Sequence, residues 1–550
     1  MKKHFTTGLF ILILCLAAGI RLWKITTIPT ILNRDEAALA YNAYLLKETG
    51  FDEWQRSWPL ALESFGDYKL PGYPALVVIS MTVLGDWQDW VVRLPAVIAG
   101  ISLVAISYFL AKQWQFKEYQ AATVAAFIAF QPHFIFYSRI AYEAVVGLAL
   151  FLVMLMIVSR KKGSLPVQIV LTLLFAFAGG LTYNTPLLLL PFCIVVLPLW
   201  QGLPNWKRWL PLCISLAAVF VVLWIPLSQL TTQKSGITLF GDELTHTRFV
   251  EYRGTLTGVA LRTLGNYYVY HTGLILNNIG ASFSPDFLVT NGGAHPWHSL
   301  PNWGHFWWLV YGLGLLGIAG TVVTSAQLVW KEVILASYTA KKLIWPTVAL
   351  EQKVALLLLL IISLAPSVVT VDAPHTTRSL LFLFLWCFMA AAGLELGQHL
   401  LTRSTQGHSK GTRDFILAVA TGLVLVAGSY EFGLTWKNYF IYYPDNYSES
   451  LRVGYDQILT EVEKQFPTQP IAVVDPAGFH YILTAWYTQM PAATYFDSVI
   501  RQQPDRIGFR YGQQVGRYHF IGNSNDRDPA TEKIVVEWSE TKQVWEVREL

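Results

Sequence analysis

Two adjacent carboxylates, Asp35 and Glu36, follow the first long apolar run of this chain, and Lys69 stands just before the next apolar stretch. The low dielectric near a membrane raises a carboxylate's affinity for protons, towards the range where a general base works. Adjacent acids at a helix start cannot share one face, so one could take a proton while the other orients a group or holds a metal. The same pair also fits a helix N-terminus, with Asn33 or Asp35 as the cap and acids in the first turn. Lys69, close to Asp67 and ahead of Pro71, could pair with a lipid phosphate or snorkel to the membrane surface.

Other charged residues sit in short gaps between apolar runs. Arg139 and Glu143 lie in Tyr137-Ser138-Arg139-Ile140-Ala141-Tyr142-Glu143, where little water could solvate them. The guanidinium fork of Arg139 suits phosphate oxygens, although the spacing also allows a simple helical ion pair with Glu143. His375 and Arg378, in Asp372-Ala373-Pro374-His375-Thr376-Thr377-Arg378, could add cationic donors for an anionic substrate. A cation at a helix start is poorly placed for the macrodipole, which argues against a purely structural Arg378. His295 and His298, with Asp286 and His305 nearby, could seat a divalent metal. Their aromatic-rich surroundings fit interfacial anchoring equally well.

The elements that must hold these residues are membrane helices. Of 550 residues 53% are hydrophobic and only 14% are charged, and the mean hydropathy is +0.40. A soluble protein carries about 25% charged residues, so an integral membrane protein is expected. The net charge of +4 gives no reason to invoke nucleic acid. The four cysteines fall inside apolar runs without CxxC spacing, which suits buried apolar positions rather than a disulfide framework or a zinc knuckle. The chain carries no Walker loop, GxGxxG after a strand, GxSxG or HExxH, so soluble-nucleotide chemistry is unsupported.

A spanning helix needs about 20 apolar residues. Candidates fall near 5–23, 91–111, 120–137, 144–159, 165–182, 186–200, 209–230, 306–330, 353–371, 378–400 and 414–432. With the N-terminus in the cytoplasm, every inner connection is basic, including Arg160, Lys161 and Lys162, then Lys207 and Arg208. The outer segments are then 24–90, 138–143, 183–185, 231–305, 372–377 and everything after 433. Counting Leu70–Gly85 as a span would invert the later loops, so it is expected to lie at the interface or re-enter. Beyond 433 the pattern changes to a helix over Ser448–Gln465 and strands near Ile471–Val474, Arg517–Ile521, Lys533–Trp538 and Val544–Val547.

The ordered motifs resemble the membrane glycosyltransferases of the GT-C superfamily, and within it the bacterial branch of the dolichyl-phosphate-mannose–protein mannosyltransferase-like family. They are Asp35-Glu36 after the first helix, GDYKLPGYP, VRLPAVIAG, FYSRIAYE, SFSPDFL with GGAHPWHSLP, and DAPHTTRSLL. The resemblance implies a fold of about eleven membrane helices over 1–432 and an extracytoplasmic α/β domain over 433–550. It implies a polyprenyl-phosphate sugar as donor, an outward-facing protein, lipid or glycan as acceptor, and inversion at the sugar. The first acid of the loop pair, Asp35, is then the general base. The lysine of a Lys-Pro-Pro element meets the lipid phosphate; here Lys69 stands in Lys-Leu-Pro. Arg139, Glu143, His375 and Arg378 follow by loop position. The expected setting is the bacterial cytoplasmic membrane with the site outside. A lipid-linked glycan polymerase or ligase, and a transporter of lipid-linked sugar, would use similar phosphate contacts. No cofactor is required.

Overall fold

The computed structural model describes residues 2–230, 236–293, 298–300, 302–334, 349–446, 453–505 and 508–550. His295, Lys341, Lys342 and the first five residues of the helix expected from Ser448 lie outside them.

The chain opens with α1 (Lys2–Leu22), then α2 (Arg34–Thr49), a hairpin of β1 (Leu62–Ser64) and β2 (Asp67–Lys69), and α3 (Gly72–Leu84). A bundle follows: α4 (Asp89–Gln113), α5 (Glu118–Phe130), α6 (Pro132–Tyr137), α7 (Glu143–Val158), α8 (Leu165–Thr182), α9 (Asn184–Gln201) and α10 (Trp206–Leu230). The long segment after α10 contains α11 (Glu243–Gly254), α12 (Gly258–Thr263) and α13 (Tyr267–Ser282). The remaining bundle is α14 (Trp308–Ile334), α15 (Leu350–Ile362), the short α16 (Ala365–Val368), α17 (Leu380–Ser404) and α18 (Lys410–Lys437).

Nine helices among the described residues are long and apolar enough to cross a bilayer. Of the eleven expected segments, 144–159 is the sixteen-residue α7, and 120–137 is two pieces, α5 and α6. The break falls at Gln131-Pro132, because Pro132 cannot donate to the preceding turn. Carbonyls freed by such a break need donors when water is absent. The buried Arg21 of α1 supplies them, with Nη1 donating to Ala129 O at 3.1 Å and Nη2 to Ile128 O at 3.1 Å and Phe134 O at 3.2 Å. The thirteen-residue α3 is about 20 Å long, short of the hydrocarbon thickness.

The bundle centres on α17, which is almost wholly buried, whereas α18 is exposed along its length. A methyl group at Gly317 of α14 would overlap the Met389 carbonyl, and one at Gly393 would overlap that of Leu313. Small residues thus let the α14 and α17 backbones touch, the packing available where apolar lipid removes the hydrophobic drive. All four cysteines are free, Cys15 being exposed and the others buried.

The C-terminal region is a six-stranded sheet of order β4-β5-β6-β3-β7-β8. Its strands are β3 (Ile471–Val474), β4 (Ile500–Arg501), β5 (Gly512–Val515), β6 (Tyr518–Ile521), β7 (Ile534–Ser539) and β8 (Val544–Glu549). Strand β3 is central and runs parallel to β6 and β7, and the outer pairs are antiparallel. The four expected strands are there; β4, β5 and the β1–β2 hairpin are additions. The helix Tyr455–Gln465 buries Tyr455, Ile458, Leu459 and Val462, as its periodicity predicts.

This sheet region docks on the segment between α1 and α4 and on the first residue of α4. The indole of Trp486 and the hydroxyl of Tyr487 donate to the two Asp89 oxygens at 3.0 Å each, and Leu32 N donates to Tyr487 Oη at 2.8 Å. Tyr41 Oη donates to Met490 O at 3.0 Å.

Candidate active site

Asn33 caps α2. Its Oδ1 accepts from the main chain of Asp35 at 2.9 Å and Glu36 at 3.0 Å, and Glu36 Oε2 accepts from Asn33 N at 3.1 Å. This reciprocal box turns Glu36 inward and leaves Asp35 facing outward, partly exposed. Glu36 Oε1 also accepts from Arg93 Nε at 2.9 Å and Ala141 N at 2.8 Å. Arg93 completes its fork on Pro29 O at 2.7 Å and Ile31 O at 2.8 Å. Both side chains are buried. A buried ion pair is tolerable when every remaining donor and acceptor is satisfied, and here the pair bolts α2 and α4 to the 138–143 turn.

Lys69 reaches the same place on the hairpin. Phe65 and Gly66, both at positive φ (44° and 83°), form the two-residue turn that tight hairpins favour. A side chain at Gly66 would overlap the Gly508 carbonyl, so the hairpin tip lies flush against the C-terminal region. Alternation along β2 then puts Asp67 and Lys69 on one face. Lys69 Nζ lies 3.0 Å from Asp67, 3.5 Å from Asp35 and 3.7 Å from Glu143. Burial opposes the ammonium charge, but Asp35, Asp67 and Glu143 outweigh it and hold its pKa well above the usual lysine range. Four of the expected site residues therefore meet at one point.

Arg139 does not join them. Its Nη1 donates to Ile20 O (3.0 Å) and Arg21 O (2.6 Å), Nη2 to Ile28 O (2.9 Å), and Nε to Tyr439 Oη (3.1 Å). The fork expected at a phosphate is occupied by main-chain carbonyls at the end of α1 and at Ile28 in the segment after it, and its partner is not Glu143.

A second polar group stands on the loop before α17. Arg378 Nη1 donates to Asp372 Oδ1 at 2.6 Å and Thr370 Oγ1 at 2.9 Å. His375 Nε2 lies 3.5 Å from Asp372 Oδ2, and its Nδ1 is 3.0 Å from Thr377 Oγ1. Burial pushes the Asp372 carboxyl up, but Arg378 and His375 outweigh that and hold it below the usual range. Two aromatic routes link this group to the first. The His375 ring packs edge-on to His298 at 4.7 Å, and His298 meets Tyr142 at 6.0 Å. Tyr183, between α8 and α9, feels Lys69 and Glu143 on one side and Thr377 and Arg378 on the other.

His305 does not act as a charge here, because burial and then His298 push its imidazole down to about 3. The His298 ring packs against His375, and among the described residues, which do not include His295, no group of three or more His, Cys, Asp or Glu is arranged to hold a metal. Arg93 and Tyr183 are the residues that reading by sequence passed over. Arg93 stood within VRLPAVIAG, a motif quoted whole, and Tyr183 carried no charge to mark it.

No protein-family model matches the chain, and no curated protein matches it. Solved structures do. The Archaeoglobus fulgidus oligosaccharyltransferase tethered with an acceptor peptide containing the NVT sequon is 12% identical, with a TM-score of 0.51 over 88% of this chain and 63% of that one. The same organism's oligosaccharyltransferase AglB, in complex with an inhibitory peptide and a dolichol-phosphate, is 13% identical, with a TM-score of 0.49 over 89% and 64%. ArnT from Cupriavidus metallidurans bound to undecaprenyl phosphate is 13% identical, with a TM-score of 0.47 over 88% and 85%. The chain spans just under two thirds of the archaeal proteins. At such identity the likeness speaks of architecture alone: this integral membrane protein shares with the tethered archaeal enzyme a fold of a multi-pass helical bundle, here followed by a C-terminal sheet region.

Proposed function

We propose that the protein is an inverting glycosyltransferase that moves a sugar from a polyprenyl-phosphate carrier to an acceptor hydroxyl or amide. The observation that carries the proposal is the convergence of Asp35, Asp67, Lys69 and Glu143, with Arg378 and His375 across Tyr183. An ammonium beside a partly exposed carboxylate, with a guanidinium beyond Tyr183, supplies the groups the reaction needs.

Asp35 takes the proton from the acceptor as the acceptor atom bonds to the anomeric carbon. The bond from that carbon to the phosphate oxygen breaks, and its electron pair leaves on the phosphate. Lys69 and Arg378 stabilise that charge as it develops. Inversion needs one base opposite the leaving group, not two carboxylates flanking the bond as in hydrolases. Glu36 and Arg93 act as positioning residues, holding the turn that presents Asp35. The acceptor is a protein, a lipid or a glycan. The bundle to 432 carries the reaction and the region from 433 assists recognition. The site lies on the outer face of a bacterial cytoplasmic membrane, opposite the basic connections.

The test is transfer of radiolabel from a polyprenyl-phospho-sugar by purified protein in proteoliposomes. Asp35→Asn should lose transfer while remaining folded. Unchanged activity would remove Asp35 as the base, and product size separates single-sugar transfer from glycan ligation.

A further inference from the structure

From Thr263 to Pro285 the chain holds no Asp, Glu, Lys or Arg. This stretch forms α13, whose described contacts bury only His271 and Ser282. Tyr268 is 74% exposed and Leu276 63%, with Val269 between them in the same series of turns and Val259 of α12 at 77%. Sixteen residues give a helix of about 24 Å, too short to span the hydrocarbon core. The exposed side of α13 carries Thr272 and Asn277 besides Tyr268, Val269 and Leu276, so it is uncharged and mainly apolar. Such a face left in water would be a liability, and a cluster of tyrosines is typical of the lipid headgroup level. Tyr252 and Tyr270 pack at 5.3 Å and Phe249 meets Tyr267 at 5.4 Å, tying α11 to the opposite side of α13. Arg248, Arg253 and Arg262 precede the uncharged stretch and are suited to lipid phosphates.

The helix is also joined to the site. Asn278 Nδ2 donates to Val368 O at 2.9 Å and Thr370 O at 3.5 Å. Thr370 Oγ1 is the atom that accepts from Arg378 Nη1. The 237–239 segment pairs with 369–371 through Leu239 N to Val369 O at 2.9 Å and Val371 N to Ile237 O at 3.0 Å. His271 then closes on Leu239 O at 3.1 Å.

We propose that α13 is seated in the lipid interface on the site's side of the membrane, its Val269–Leu276 face against acyl chains, and forms the wall along which a polyprenyl tail reaches Arg378. The occupant is lipid because the face offers no charge and the arginines stand at one end of it. The tail function rests on the proposed function above; the membrane seat does not.

Two measurements on the full-length protein decide it. In the first, Leu276→Cys and, as a solvent-exposed control, Thr541→Cys are labelled with a bimane in a Cys15→Ser background and reconstituted with brominated lipids. Leu276→Cys should be quenched severalfold more than the control; equal quenching overturns the seat and the wall together. In the second, binding of radiolabelled polyprenyl phosphates is compared for wild type and Leu276→Glu. A charge on a lipid-facing position should weaken a long-chain polyprenyl phosphate about tenfold and leave geranyl phosphate unchanged. Equal effects on both ligands, or none on either, overturn the wall. Because the readout is binding, absence of sugar transfer would count against the glycosyltransferase reading without deciding this one.

Discussion

The Lys69 ammonium lies 3.5 Å from the Asp35 carboxylate, so the expected phosphate ligand and the expected base are one ion pair. In the proposed reaction a base paired in this way exchanges its partner when substrate arrives: the phosphate would draw Lys69, and the acceptor proton would come to Asp35. The two roles are therefore coupled. Asp35→Asn, Lys69→Gln and the double variant should be non-additive in kcat/KM, with a coupling of about 0.5–3 kcal/mol. Simple additivity in a transfer assay would mean that the pair is incidental.

Loss of the base itself should reduce kcat by about 10²–10⁴-fold in Asp35→Asn. The partly exposed side chain is not part of the Glu36–Arg93 bolt, so thermal stability in detergent should change little. A variant that melted early instead would place Asp35 in the scaffold.

Arg139 and Arg378 should separate cleanly. Arg139→Gln leaves several buried carbonyls short of donors, each costing about 1–3 kcal/mol, and should lower the melting temperature. Arg378→Gln should leave stability near wild type and raise KM for the donor. The opposite pattern, measured by thermal unfolding and donor titration, would exchange their roles.

The Glu36–Arg93 bolt offers a third contrast. Arg93→Ala should cost about 3–5 kcal/mol, because Glu36 would remain as a buried unpaired charge. The pair Glu36→Gln with Arg93→Met should recover part of that loss in stability but not the transfer rate, since α2 would no longer be held against the 138–143 turn. Full recovery of both would make the bolt dispensable for positioning.

The contact between the sheet region and the first loop should depend on pH. Glu53 is buried, accepts from Tyr495 Oη at 3.0 Å, and stands 3.9 Å from Arg501. Burial raises its pKa from 4.5 to about 7, even though Arg501, Ser64 and Tyr495 oppose the rise. A raised acid pKa means the folded state binds the extra proton, so stability falls as pH rises from about 4.5 through about 7 and is constant above. Relative to wild type, Glu53→Gln should gain stability over that window, by on the order of 3 kcal/mol at most. Melting curves at pH 5, 6, 7 and 8 would check it; a difference that does not vary with pH would refute it.

Much of this architecture was legible because membrane spans must be long and apolar, and that demand is written in consecutive residues. The exception at Pro132 shows the limit. A proline marks a break, but only the fold reveals that Arg21, more than a hundred residues earlier, satisfies the freed carbonyls. The same blindness affected the arginines. Arg139 and Arg378 both stand in short polar gaps, and nothing in their spacing tells which one faces main-chain oxygens. Asp35 and Lys69 were legible as partners, because charges beside apolar runs are costly unless they meet; Asp67 and Glu143 stood only as candidates in their own loops, and the fold brings the four together. Their meeting point depends on a hairpin of two three-residue strands, too short to announce itself.

That hairpin has a further consequence. Tyr68 stands opposite Glu63 in the strand pairing and feels Glu63, Arg56 and Arg510, while Lys69, its neighbour, feels Asp35 and Glu143. Two distinct chemical environments are thus served by successive residues of one strand, and the turn at Phe65-Gly66 sets the phase between them. The hairpin works as a reading frame: a single inserted residue would present a phenol to the carboxylates and turn the ammonium towards arginines. Length between Leu62 and Lys69 should therefore be less forgiving than the identity of any side chain exposed along it.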